Sequence, residues 1–91
     1  MTNYTELNPT SSNLIDLNNL LDPGIYVFDS YNNGQNRQYI SNFPASNGSF
    51  EIIVEKRAFG SGYIIQTFKE FSTSDNSIYK RVKSGYTWES W

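Results

Sequence analysis

The chain has 91 residues, 37% of them apolar and 16% aromatic, with no Cys, no His and a net charge of −2. One domain fits this length and a second does not. Disulfides, Cys or His metal sites, and Ser–His or Cys–His nucleophile pairs are excluded.

Residues 1–13 are polar and rich in Asn, Thr and Ser. They read as a linker or lead-in that stays loose unless docked, ahead of a domain over 14–91. In the next segment Leu14, Leu17 and Leu21 fall at i, i+3 and i+7, joined by Leu20. That spacing predicts one or two helical turns, with Asn13 as the cap. Asp22-Pro23-Gly24 ends them, because Pro has no N–H to donate and Gly permits the turn. The run Ile25 to Phe28 is β-branched and aromatic and predicts a strand.

Residues 29–38 are polar and turn-rich and form the longest predicted loop, followed by a short edge strand over 39–43. Pro44 to Gly48 is a turn, with Asn47-Gly48 its strongest signal. Phe50 to Arg57 is a strand with Phe50, Ile52 and Val54 on one face and Glu51, Ile53, Glu55 and Arg57 on the other. Gly60-Ser61-Gly62 turns the chain into a strand over 63–71, whose two faces are both mixed, so periodicity does not decide which is core. Ser72 to Asn76 is a turn, and a strand over 77–83 is expected to point Ile78 and Val82 inward. Ser84-Gly85 closes a tight hairpin onto a last strand over 86–91, where alternation points Trp88 inward. The predicted fold is therefore mainly β: a small antiparallel meander or sandwich behind a short N-terminal helical turn.

Few constellations carry chemistry. Asp29-Ser-Tyr-Asn-Asn-Gly34 has the outline of a calcium loop, but Tyr31 and Ile40 stand where oxygen ligands belong. Glu51 and Glu55 lie two pleats apart on one face, about 13 Å, too far for a retaining glycosidase pair. No catalytic residue, cofactor or metal is expected. The seven bases do not cluster: Lys80 and Arg81 face opposite sides of a strand. That is a poor match for nucleic acid or an anionic membrane, and no run is long or apolar enough for a spanning helix. In the loop over 30–38, Tyr31, Asn32, Asn33, Asn36 and Arg37 are adaptable polar and aromatic contact residues, the chemistry of recognition loops. They are the candidate ligand-binding set; the alternative is an ordinary hydrophilic connection. Tyr86, Trp88 and Trp91 either stack on sugars or pack on the core or on a partner chain; a chain short of Leu and Val favours packing, with Trp88 pointing inward and Trp91, at the chain end, left open.

Two segments, Asp16-Leu-Asn-Asn-Leu-Leu-Asp-Pro-Gly-Ile-Tyr26 and Ile78-Tyr-Lys-Arg-Val-Lys-Ser-Gly-Tyr-Thr-Trp-Glu-Ser-Trp91, resemble the pyocin-knob domain of phage tail fibres, tail-like bacteriocins and related receptor-binding proteins. The resemblance spans residues 14–91, although the middle, 29–76, carries no matching motif. It implies a small, non-enzymatic β domain in a homotrimeric fibre or tail tip. Such a domain is made in the bacterial cytoplasm, displayed on the virion tail, and contacts host cell-surface polysaccharide. The matched positions are Leu17, Leu20, Pro23, Gly24, Tyr26, Tyr79, Arg81, Gly85, Trp88 and Trp91, and the resemblance implies that they define the scaffold. Contacts would then fall to the loop over 31–37. A purely structural spacer or trimerisation module is the alternative; a glycan-degrading enzyme is a remote one, for want of a placed acid–base pair.

Overall fold

The computed structural model describes residues 3–44, 48–58, 60, 62–71 and 76–91, with the backbone but not the side chain of Asn33. The chain is mainly β. Its strands are β1 (Thr5–Glu6), β2 (Ile15–Asp16), β3 (Gly24–Phe28), β4 (Ile40–Ser41), β5 (Ser49–Arg57), β6 (Tyr63–Phe71), β7 (Ile78–Ser84) and β8 (Thr87–Trp88). Six of them form one sheet in the order β1-β3-β5-β6-β7-β8, and β2 pairs with β4 in a separate two-stranded piece. From β3 to β8 the pairing is antiparallel, as the meander reading expects. β1 adds parallel to β3, so the sheet is mixed.

The long β5–β6 pair runs in unbroken register from Ser49 opposite Phe71 to Arg57 opposite Tyr63. Its β-branched and aromatic residues suit a pleated, half-buried surface. One face builds the core. Phe28 stacks on Phe50 at 5.3 Å and Phe50 on Phe68 at 4.5 Å, and all three rings are fully buried. Phe43 flanks the stack at 6.4 Å and Trp91 meets Phe68 edge-on at 5.8 Å. Each buried Phe contributes about 2–3 kcal/mol of transfer free energy, so the aromatics stand in for scarce aliphatics. Leu7, Leu17 and Ile40 cover the stack, with Ile15 and Leu20 packed against it.

The structure sharpens four local readings. Of the one or two helical turns expected over 14–21, one forms. Ile15 pairs with Ile40, and only Leu17–Asn19 coil, as a 3-10 turn closed by Leu20 N–H donating to the Leu17 carbonyl at 3.3 Å. The cap is Asp16, whose carboxylate accepts from Asn18 N–H at 2.8 Å, while Asn13 is bridged to Thr10 and Leu14 is left 71% exposed. The weak helix formers Asn18 and Asn19, with Pro23 close behind, leave too little to extend. The expected loop over 29–38 coils into helix α1 (Ser30–Asn33) and a 3-10 helix over Gly34–Tyr39.

β7 points the other way from expectation: Ile78 is 64% exposed, and Tyr79 and Arg81 face the core. The pairing of Phe68 with Tyr79 and of Gln66 with Arg81 fixes this register, and one residue of slip would flip the strand. Finally, the lead-in is docked, with Thr5–Glu6 in the sheet, Leu7 N–H bonded to the Val27 carbonyl at 2.8 Å and Pro9 buried. The predicted turns at 44–48, 60–62 and 72–76 fall partly on Asn47, Ser61 and 72–75, outside the described residues.

Candidate functional site

Asp29 creates the candidate recognition segment. Its Oδ1 accepts from Tyr31 N–H at 2.9 Å and its Oδ2 from Asn32 Nδ2 at 3.1 Å, capping α1. Four residues are too few for an independent helix. The fold supplies the missing anchor: Ser49 Oγ, at the start of β5, accepts from Ser30 N–H at 3.0 Å and lies 3.1 Å from Ser30 Oγ. With its cap tied to the sheet, α1 holds Tyr31 in solvent, 98% exposed. Ser30, Tyr31, Asn32, Gly34, Gln35 and Asn36 line a polar concavity of about 410 Å³.

The five sequence-predicted contact residues therefore separate. Tyr31, Asn32 and Asn36 share the concavity. Arg37 turns away from it, donating from Nη2 to the Gly48 carbonyl at 2.8 Å and sitting 5.6 Å from the Phe28 ring centroid. That guanidinium fastens the 3-10 helix to the core edge. The side chain of Asn33 lies outside the described residues. The concavity offers hydroxyl, amide and phenol groups and one exposed ring, groups able to hydrogen-bond and to stack.

A second constellation lies inside. Arg81 is only 4% exposed and sits between two indoles, 4.0 Å from the Trp88 ring centroid and 4.3 Å from that of Trp91. Its Nε donates to Gln66 Oε1 at 2.8 Å. Burial pushes the guanidinium down to about 10, opposed by the nearby Asp16 carboxylate, so it stays charged at neutral pH. Gln66, itself fully buried, donates from Nε2 to the carbonyls of Leu17 at 2.7 Å and Leu20 at 2.9 Å. Trp88 Nε1 donates to the Asn18 carbonyl at 3.2 Å and Trp91 Nε1 to the Asn42 carbonyl at 3.0 Å. Asn42 holds a left-handed φ of 65°, steadied by its own amide on Asp16 Oδ1 at 2.7 Å. Both Trp rings thus serve the scaffold, as the residue reading expects of aromatics in a chain with few aliphatics. The role of Gln66 is not legible from alternation, because a Gln at an inward position carries no sign of the carbonyls it will meet.

Two further ion pairs stand on the sheet surface. Glu51 lies 3.9 Å from Lys69 and Glu55 2.7 Å from Arg57, all partly exposed. Among the described residues there is no group of three or more potential metal ligands, and no helix is long and apolar enough to cross a membrane. A second concavity of about 400 Å³ lies at the sheet end, where Lys56, Ile64 and Lys83 stand in one cross-strand row. No family model, curated protein or solved structure matches the chain.

Proposed function

We propose that this domain is a non-catalytic knob module of a phage or prophage tail fibre or baseplate, working on the virion tail. It helps attach the particle to its host by contacting cell-surface polysaccharide through Tyr31, Asn32 and Asn36. In this reading several copies stand in a homotrimeric fibre whose shaft lies outside this chain. The supporting observation is the junction of the two segments that carry the family resemblance. Trp88 and, through Gln66, Arg81 are bound to the carbonyls of Asn18, Leu17 and Leu20, so residues 16–26 and 78–91 meet as one unit. Residues so engaged in the scaffold leave recognition to the segment over 30–36, which is what a knob with a variable contact surface requires.

The test is calorimetric titration of the domain with a panel of purified bacterial cell-wall polysaccharides. Attachment predicts heat of binding with at least one polymer, lost in Tyr31→Ala and kept in a substitution at exposed Tyr86. A second reading, a spacer that touches no glycan, is favoured by the diversion of Arg37 into the scaffold. Silence across the panel would select it, and release of reducing ends from any polymer would overturn both.

A further inference from the structure

The sheet has two faces, and the described elements cover one. All sheet residues in the core cluster, from Tyr26 and Phe28 to Phe68 and Tyr79, share the inner face, where the 3-10 turn, β4 and Leu7 pack. The outer face nonetheless carries an apolar stripe among its charges. Ile25 stands opposite Ile53, and Ile65 opposite Val82. Ile53 and Ile65 are diagonal neighbours across β5 and β6, which joins the two pairs into one stripe. Phe71 and Ile78, 53% and 64% exposed, extend the same face. Meanwhile the inner face buries Gln66, Glu70 and Arg81. A solvent-facing antiparallel sheet ordinarily alternates apolar-in with polar-out. Here the outward positions hold the β-branched aliphatics that an inward face usually holds.

The charges around the stripe say what covers it. On the outer face β5 carries Glu51, Glu55 and Arg57, while β6 and β7 carry Lys69 and Lys80; within one copy Arg57 holds Glu55 at 2.7 Å and Lys69 stands 3.9 Å from Glu51, both pairs partly exposed and open to exchange. Turned over about an axis along the strands, a second copy lays its β6 and β7 over the first copy's β5, and each copy's acids meet the other's lysines. A two-fold contact needs such self-complementarity; a foreign partner does not. Four strands about 4.8 Å apart and up to nine residues long offer roughly 500 Å² per copy. The total of about 1,000 Å² lies at the lower limit for specific association, so the pairing is weak and reversible. We propose that the outer face of β3, β5, β6 and β7 is a docking surface for a second copy of this chain, packed sheet on sheet as a two-fold dimer. This stands independently of polysaccharide attachment.

Sedimentation equilibrium of the full chain from about 10 µM to about 1 mM brackets the affinity expected of such an interface. The expected result is a monomer–dimer equilibrium, weakened about tenfold or more in Ile65→Thr, a swap that keeps β-branching while removing apolar area. Two doubly substituted variants test the charge pairing without touching the core. Glu51→Lys with Glu55→Lys makes the face basic, and Lys69→Glu with Lys80→Glu makes it acidic. Each alone should be monomeric with native circular dichroism, and an equimolar mixture should dimerise. Monomer throughout the range for the unaltered chain, a trimer, or a dimer indifferent to Ile65→Thr and to both charge variants would overturn the proposal. A trimer would at the same time favour the fibre reading, so the two fail separately.

Discussion

Gln66 holds Arg81 with one end of its amide and the N-terminal turn with the other. Its Oε1 accepts from Arg81 Nε at 2.8 Å, and its Nε2 reaches the carbonyls of Leu17 and Leu20 at 2.7 and 2.9 Å. Gln66→Leu keeps the volume but strands a buried cation and two carbonyls. The expected loss is about 3–5 kcal/mol, the range for an uncompensated buried charge, measured by urea unfolding. Arg81→Met removes the charge and leaves only the Gln66 carbonyl unpaired, so a loss of about 1–3 kcal/mol is expected. The double variant should cost less than the sum of the singles by about 1–3 kcal/mol, because the penalties share one cause. Simple additivity would mean that the guanidinium is held by the indoles alone.

The candidate recognition segment divides into residues held in the fold and residues held out in solvent. Tyr31 is 98% exposed, so Tyr31→Ala should change stability by no more than about 0.5 kcal/mol. Arg37→Ala removes the bond to the Gly48 carbonyl and the cation over Phe28, and should cost about 1–3 kcal/mol. Asp29→Ala removes the cap of α1 at a cost of about 1 kcal/mol and should loosen the helix that presents Tyr31. Thermal unfolding of the three variants ranks them directly. If Tyr31→Ala were the most destabilising of the three, its ring would belong to the fold and could not be the contact.

How much of this was legible follows from where the determinants sit. The strands β3, β5, β6 and β7 follow from runs of β-branched and aromatic residues between turn signals, and the inward set Phe50, Ile52 and Val54 from alternation. Alternation failed at β7 because it weighs apolarity, and there the inward positions hold Tyr79 and Arg81 while Ile78 and Val82 point outward. The two indoles around Arg81 come from the adjoining C-terminal segment, a local relationship; what buries this arginine is Gln66, which ties it to the N-terminal turn, a non-local condition. The helical pieces over 30–39 were illegible for the same reason: Asp29 is a readable cap, but the tie to Ser49 crosses from another element. The candidate contacts were legible as residue types. That Arg37 leaves the group depends on the position of Gly48.

The alkaline limb of stability should carry the mark of Tyr26. Its phenol donates to the Asp22 carbonyl at 2.8 Å, and burial, reinforced by the Asp22 carboxylate, raises it above its usual value of 10.0. A proton held more tightly in the folded state stabilises the fold fully below the ordinary value and ceases to do so as pH rises through the raised one. Arg81 acts oppositely: lowered to about 10, it releases its proton in the folded chain first, so its contribution rises with pH above that point. Tyr26→Phe isolates the first effect. The stability difference between Tyr26→Phe and the unaltered chain should be flat from pH 6 to about 9 and shift in favour of the variant above about 10. A flat difference throughout would place the phenol in ordinary solvent.

Two glycines outside the core give opposite expectations from backbone geometry alone. Gly85, in the β7–β8 turn, has φ of 62°, and a Cβ built there would meet nothing within 4 Å. Gly85→Ala therefore tests strain free of any clash, and about 1–2 kcal/mol should be lost. Gly34, after α1, has φ of −55° and ψ of −39°, again with nothing within 4 Å of a built Cβ. There Ala fits the right-handed region and restricts the unfolded chain, so Gly34→Ala should gain about 0.4–1 kcal/mol. Gly34 also lines the polar concavity, and its substitution leaves the anchors of α1 in place. Urea unfolding of both variants gives the signs. A loss at Gly34 as large as that at Gly85 would mean that the segment over 30–39 is not helical in solution, and the presentation of Tyr31 argued from its cap and its tie to Ser49 would go with it.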